Sequence, residues 1–539
     1  MKKLLSLLLA GVMAMSLLAG CADETPRETT GNGLADPTES VPETQPDASR
    51  GDAAQESITM AYYPDRGLNP YTCMDYTNRA LLPLVYQGLF SMSADHQVYP
   101  ILCQKYTVSE DMMNHVFYLN EKARFSDGSP VTAADVAASL NAAEAGGYYE
   151  GRFSHISSVS AAADGAVLIQ TDCAYEDLSP LLDIPVVKAG QTEEASPIGS
   201  GPFVMLLEGK GRLLKKNPSW WCGEVPVLFM DTVHLAEAES PRHIRDMFEF
   251  SDLDLVCADP GTDTFAAYRN DYELWDCETG MFLYLGCNLN SAVFSNRQVR
   301  QALPMAINRE ELLDDYYRGF GWEASLPASP KAPSYSTGLA AQYDYDGAQL
   351  TNALAATKLK GSKIVLLTNS EDSLRTRVAE AIADMLRSCG LEVEVKACKY
   401  EDFLYALRMK EYDLYLGQTR LSPNMDLTEF LYEDGFLSFG PMNDKTMYAL
   451  NLQALENSGN FYDLYQTLMN DGRLTPILFR SYAVYAARGG LSELQPARDN
   501  IFFYELGRTM EDVRSQPPVE TTAPAETSEP EETTAASEE

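Results

Sequence analysis

Five histidines stand at positions 96, 115, 155, 234 and 243, with no spacing that would bring two of them to one metal ion. Beyond Cys21, nine cysteines are scattered at 73, 103, 173, 222, 257, 277, 287, 389 and 398. None forms a C-x-x-C pair, so no zinc site is expected. The chain carries no G-x-S-x-G elbow, no H-E-x-x-H and no Walker-type loop. Its 78 acidic residues are too many to single out a catalytic pair. The expectation is a protein that is not an enzyme and has no metal or cofactor, leaving binding chemistry. Arg420, in "LGQTRLSPNMDLTEFL", can hold a carboxylate or phosphate through two parallel hydrogen bonds. Its alternative is an acid of the chain itself.

The ends of the chain give its expected location. Lys2 and Lys3 precede an apolar run from Leu4 to Leu18, which reads as a signal peptide over 1–20. Leu18-Ala19-Gly20-Cys21 resembles the lipobox of bacterial lipoproteins, which implies lipidation of Cys21 and anchoring at the extracellular face of the cell membrane. Residues 21–56 and 514–539 are rich in Thr, Pro, Glu and Asp and nearly free of large apolar side chains. They read as a disordered acidic tether and tail. No second apolar run is long enough to span a bilayer.

The net charge is −37, and most of it lies in the body rather than the ends. That excludes nucleic acid, whose binding rests on Lys and Arg contacts to phosphate. It favours cationic or zwitterionic ligands, or serves solubility alone. The body is too long for one core and suggests two or three lobes. Most cysteines lie in apolar surroundings and read as buried thiols, with room for one or two disulfides.

The elements that position any site are alternating strands and helices. "SITMAYY", "NHVFYLN", "GAVLIQTD", "FLYLGCNLN", "KIVLLTN", "LEVEVKAC" and "YDLYLGQTR" read as strands. "NRALLPLVYQGLF" reads as one helix, ending near Gly88. In "FSDGSPVTAADVAASL" a turn precedes a helix, with Thr132 as N-cap and Asp135 completing a capping box. Pro304 should kink "SNRQVRQALPMAI", and Asn308 should cap "REELLDDYY". "SLRTRVAEAIADMLRSCG" is a strong amphipathic helix that Gly390 stops.

These segments, in order, resemble the extracellular solute-binding proteins of peptide and nickel ABC importers. "LNPYT…VYQGLF", "ARFSDGSPVTAADVAASL", "SPIGSGPFVM", "NPSWW" and "NLNSAVFSNRQVRQALPMAINREEL" carry the resemblance, which covers residues 58–510. It implies an α/β fold of the periplasmic-binding-protein-like type II, with two lobes and an extra domain around a ligand cleft. Lobe I would comprise 57–92, 198–283 and 482–513, the small extra domain 93–197, and lobe II 284–481. The implied role is capture of a peptide or other small polar solute and delivery to an ABC permease, by a monomer. A surface sensor or interaction module on the same fold is the alternative. The implied cleft residues are Tyr62, Tyr63, Tyr71, Tyr284 and Asn288, with Gln418, Arg420 and Asp426 from the loop that departs most from the family. In that loop Gln418 stands at the family's aromatic position. The usual amine-anchoring Asp is missing there, with Asp426 as its substitute.

Overall fold

The computed structural model describes residues 57–514 except 209–210, 223–230, 263–264, 266–267, 269–271, 441, 488–493, 505 and 507. The expected signal peptide, Cys21, the tether and residues 515–539 lie outside the described residues. Among the described residues no helix is long and apolar enough to cross a membrane.

An eleven-stranded mixed sheet organises the chain. Across it run Glu392–Cys398, Lys363–Asn369, Leu414–Arg420, Tyr272–Cys287, Leu474–Ala487, Leu255–Ala258, Ser57–Tyr62, Thr232–Glu237, Gly211–Lys216 and Phe203–Glu208. Gly321–Glu323 pairs on Leu474–Ala487 off that path. The two longest strands, 16 and 14 residues, pair antiparallel in the middle and belong to both ends of the sheet. Their register breaks between Glu278 and Met281, where Gly280 has φ +67°. That conformation is cheap only for glycine, and the extra residues bend the pair.

The largest core runs through the whole body, joining Tyr62, Phe117, Phe203, Tyr284, Tyr415 and Phe503, and two smaller cores are more local. One core draws only on residues 283–478, with Leu366, Val378, Ile382, Leu414 and Leu478 at its centre. Another draws on residues 61–268 and on Ala483 and Tyr485. A second sheet, Cys103–Val108, Asn114–Leu119, Val167–Thr171 and Ile156–Ala161, is antiparallel and takes all four strands from 103–171. Helix Ala133–Ala145 packs on it.

Local chemistry explains the elements. Thr132 and Asp135 form the expected capping box: Thr132 Oγ1 accepts from Asp135 N, and the Asp135 carboxylate accepts from Thr132 N at 2.8 Å. The turn before it is held by Asp127, whose carboxylate accepts from Ser129 and Lys188, while Gly128 takes φ +85°. This stretch is scaffold. Helix Ser373–Ser388 buries Leu374, Val378, Ile382, Met385 and Leu386 on one face, as its periodicity predicts.

Three expectations are corrected. The single helix over "NRALLPLVYQGLF" is two short helices, Tyr76–Arg79 and Leu82–Val85, followed by extended backbone. Pro83 lacks an N–H and sits in the first turn of the second helix, so the two cannot merge. Pro304 ends the helix Arg297–Ala302 and opens a 3₁₀ turn rather than kinking a longer helix. All nine body cysteines are free thiols, so no disulfide forms among them.

His115 yields a pH prediction. Its Nδ1 accepts from the Tyr106 hydroxyl at 2.8 Å, and Nε2 donates to Met112 O at 3.1 Å. Burial holds the imidazole down to about 4. The unfolded chain therefore protonates first as pH falls below 6.5. Stability should drop from there and level off below about 4, by on the order of 3 kcal/mol. In urea titrations at neutral and acidic pH, His115→Gln should flatten this part of the profile. An unchanged slope would show that His115 does not contribute it.

Candidate functional site

Arginines and tyrosines from segments far apart in the chain surround one cavity of about 90 Å³. Arg79 is the last residue of the short helix Tyr76–Arg79. Tyr148, Tyr149 and Arg152 lie just beyond helix Ala133–Ala145. Asp183 and the segment 497–504 close the far side.

Arg79 is buried and meets no carboxylate among the described residues. It donates to Pro70 O, Cys73 O and the Tyr149 hydroxyl, and its guanidinium lies 3.2 Å from the Tyr148 ring centroid. Arg152 pairs with Asp183 and donates to Leu181 O. Arg498 donates to Asp499 and to Leu421 O, and its Nε is buried without a partner among the described residues. Arg420 borders the same space, pairing with Asp499 and Thr279 O, 4.3 Å from the Tyr148 ring.

Asp499 is the hub. Its backbone adopts φ +65°, a left-handed conformation that aspartate tolerates better than most residues. Its carbonyl accepts from Tyr76, whose ring stacks on Tyr482 at 3.7 Å. Burial would raise its carboxyl, but Arg420, Arg498 and Arg152 outweigh burial and hold it below the usual carboxylate range. Burial would also lower Arg420, and the Asp499 carboxylate raises it instead. Three arginines, Arg79, Arg152 and Arg498, thus line this space with only two aspartates, Asp183 and Asp499. In a protein of net charge −37, the cavity is locally positive.

None of the residues singled out from the sequence lines this cavity, and Arg420 meets it only through Asp499 and Tyr148. Tyr62 is buried with its hydroxyl accepting from Arg212 at 2.9 Å. Tyr63 is buried beneath Arg66. The Tyr71 hydroxyl donates to Pro185 O at 2.9 Å. Tyr284 covers Gly417 across the strand pair, and Tyr415 covers Gly286 in the same way. Asn288 donates to Lys410 O and Tyr412 O, pinning a turn. Gln418 accepts from Arg480, which grips both oxygens of Asp259 at 3.0 Å. Asp426 is buried and accepts from Thr428 and Asn451. None of these lines the arginine cavity. The sequence reading missed Arg79, Arg152, Arg498 and Asp499. Arg152 and Arg498 stand beside an aromatic or acidic residue, in "YYEGRF" and "ARDN", whereas Arg79, between Asn78 and Ala80, carries no such signal.

Known proteins share both sequence and architecture with this chain. It is 27% identical over 385 residues to the nickel-binding periplasmic protein of Escherichia coli K12, covering 64% of this chain and 71% of that protein. It is 24% identical over 369 residues to the glutathione-binding protein GsiB of Escherichia coli O1:K1 / APEC, covering 65% and 71%. Among solved structures, NikA from Brucella suis in complex with Fe(III)-EDTA superposes with a TM-score of 0.67 at 19% identity, covering 84% of this chain and 99% of NikA. A putative peptide-binding protein, AppA from Clostridium difficile, gives 0.68 at 18% identity, covering 84% and 100%. The fold is therefore the mixed α/β, type II periplasmic-binding-protein-like one. Residues 97–435, more than half of the chain, match the model of bacterial extracellular solute-binding proteins, family 5 Middle, and the chain belongs to that family.

Proposed function

We propose that this protein captures a small polar solute carrying a carboxylate or comparable anion and delivers it to an ABC permease. It would do so as a monomer held at the extracellular face of the cell membrane through lipidated Cys21. Short peptides fall within this ligand class, since each has a terminal carboxylate. The observation that carries the reading is the buried Arg79 guanidinium, without a carboxylate partner among the described residues, in a cavity where arginines outnumber acids. Relatives named for glutathione and a neighbour bound to Fe(III)-EDTA handle carboxylate-bearing ligands, which supports the same class.

The cavity volume of about 90 Å³ is well below the roughly 300–1,000 Å³ of small-molecule sites. Ligand entry would thus need the walls to part. The expected lobes, 57–92 with 198–283 and 482–513 against 284–481, would open about the paired strands Tyr272–Cys287 and Leu474–Ala487. A ligand anion would then take the place of Asp499 opposite Arg420, and closure would be favoured by ligand contacts to both sides. Tyr62, Tyr63, Tyr71, Tyr284 and Asn288 would support the walls from behind. Gln418 would hold Arg480, and Asp426 would brace the loop after Arg420.

The test is native mass spectrometry of the full chain purified from rich medium, followed by denaturation to release bound compounds. A carboxylate-bearing mass is expected, with its affinity falling about 10- to 100-fold in Arg79→Met, the cost of a lost charge-assisted hydrogen bond. Retention of a neutral or purely cationic compound, unaffected by Arg79→Met, would refute the reading.

A further inference from the structure

The edge of the four-stranded sheet holds a second cluster, away from the arginine cavity. Strands Ile156–Ala161 and Val167–Thr171 pair antiparallel with Ile156 opposite Thr171. This register sets His155 across from Asp172, and Asp172 N donates to His155 O at 3.1 Å. Cys173 follows directly. One ligand-type atom from each of His155, Asp172 and Cys173 lies within 4.8 Å of the others.

The hydrogen bonds around His155 determine its protonation. Thr428 Oγ1 lies 2.8 Å from Asp426 Oδ1. A carboxylate only accepts, so Thr428 spends its single proton there. Thr428 Oγ1 must then accept from Asn451 Nδ2 at 2.9 Å and from His155 Nε2 at 2.7 Å. Nε2 therefore carries a hydrogen. In a neutral ring this leaves the Nδ1 lone pair pointing at the Asp172 carboxylate, 2.8 Å away. Two lone pairs at that distance repel. The contact is satisfied by a second proton on the ring or by a cation between the two groups. Asp172 and Asp426 pair with His155 and with no lysine or arginine among the described residues.

We propose that His155 Nδ1, Asp172 and Cys173 Sγ bind a divalent cation of the zinc type, with water as the fourth ligand. A mixed nitrogen, oxygen and sulfur donor set suits zinc and disfavours calcium or magnesium, which prefer oxygen alone. Tetrahedral zinc places its ligand atoms about 3.4–3.7 Å apart, so the cluster closes with side-chain rotations of roughly 1 Å. The Asp172 side chain is 59% exposed, which provides an entry path and room for the water. Asp426 and Thr428 act from behind, fixing the tautomer and turning Nδ1 outward, as outer partners of metal-bound histidines do. Burial first, then Asp172 and Asp426, push the Cys173 thiol up to about 12. Metal binding would displace that proton to solvent, leaving the thiolate on the cation. The bound ion would tie this sheet edge, through the imidazole, to the segment carrying Asp426 and Thr428.

The test is cobalt and zinc titration of the full chain, reduced and stripped of metal. Stoichiometric cobalt binding with a sulfur-to-cobalt charge-transfer band is expected. The band should vanish in Cys173→Ser. Zinc affinity, measured against a chromophoric chelator, should fall about tenfold or more in Asp172→Asn, and 10- to 100-fold in Asp426→Asn through its outer role. Asp172 is surface-exposed, so its variant keeps the test valid if Cys173→Ser misfolds. No charge-transfer band, a band that persists in Cys173→Ser, or equal zinc affinity in wild type and Asp172→Asn would each overturn the proposal. Equal affinity would assign the His155–Asp172 contact to a second ring proton.

Discussion

Replacing Arg152 with methionine is expected to cost about 3–5 kcal/mol of folding stability. The guanidinium is almost fully buried, pairs with Asp183 and donates to Leu181 O. Burial, then the neighbouring Arg498, bring it down to about 10, still well above neutral pH, so it stays charged. Methionine fills much of the volume but leaves the Asp183 carboxylate, itself only 15% exposed, without its counter-charge. The penalty is that of a stranded ion rather than the worth of the pair. Arg152→Met combined with Asp183→Asn should therefore recover most of the loss in urea titrations. If single and double variants were equally unstable, the pair would not be the cause. The double variant removes one positive and one negative charge and so keeps the net charge of the cavity, and any weaker anion binding it showed would report the lost Arg152 donors themselves.

Gly199→Ala is expected to be nearly as damaging, at about 3 kcal/mol or more, the upper end for overpacking. A Cβ at this position would lie 2.1 Å from Val85 O and 2.6 Å from the Tyr86 ring. Gly201 approaches the same peptide, and its N–H donates to Val85 O at 2.9 Å. Backbone cannot rotate away as a side chain can, so the segment 197–202 would have to lift off the helix Leu82–Val85. Gly338→Ala is the control: nothing lies within 4 Å of its Cβ, and its effect should be within a few tenths of a kcal/mol. Thermal melts of the two variants against wild type decide the matter. Equal midpoints would mean that the segment 197–202 is loosely packed.

Sequence and structure agree where the controlling physics is local. The Thr132–Asp135 box, the apolar face of Ser373–Ser388 and the strand Leu414–Arg420 each depend on residues a few positions apart. The helix misread across 78–90 failed because one proline outweighs a good apolar period. The strand Leu474–Ala487 hides for another reason: it is buried on both faces for most of its length, so its residues do not alternate. The site was the least legible part. Arg79, Arg152, Arg420 and Asp499 converge from segments up to 420 positions apart, which no spacing rule captures. Tyr62, Tyr71 and Tyr284 look like ligand contacts because tyrosine joins an apolar ring to a polar tip. In the structure the Tyr62 and Tyr71 hydroxyls find protein partners and the Tyr284 ring covers a glycine.

The placement of Leu474–Ala487 has a kinetic consequence. This strand begins at residue 474 of 539, yet it lies between Tyr272–Cys287 and Leu255–Ala258 in the middle of the sheet. A chain made from its N-terminus cannot join the two halves of the sheet until nearly all of it has been synthesised. Contacts of such long sequence separation also form slowly. The segment 497–504, which carries Arg498 and Asp499 and closes the arginine cavity, begins ten positions after that strand ends. The cavity is therefore among the last features to be assembled, and a chain truncated before residue 474 would lack both the central strand and the charged hub.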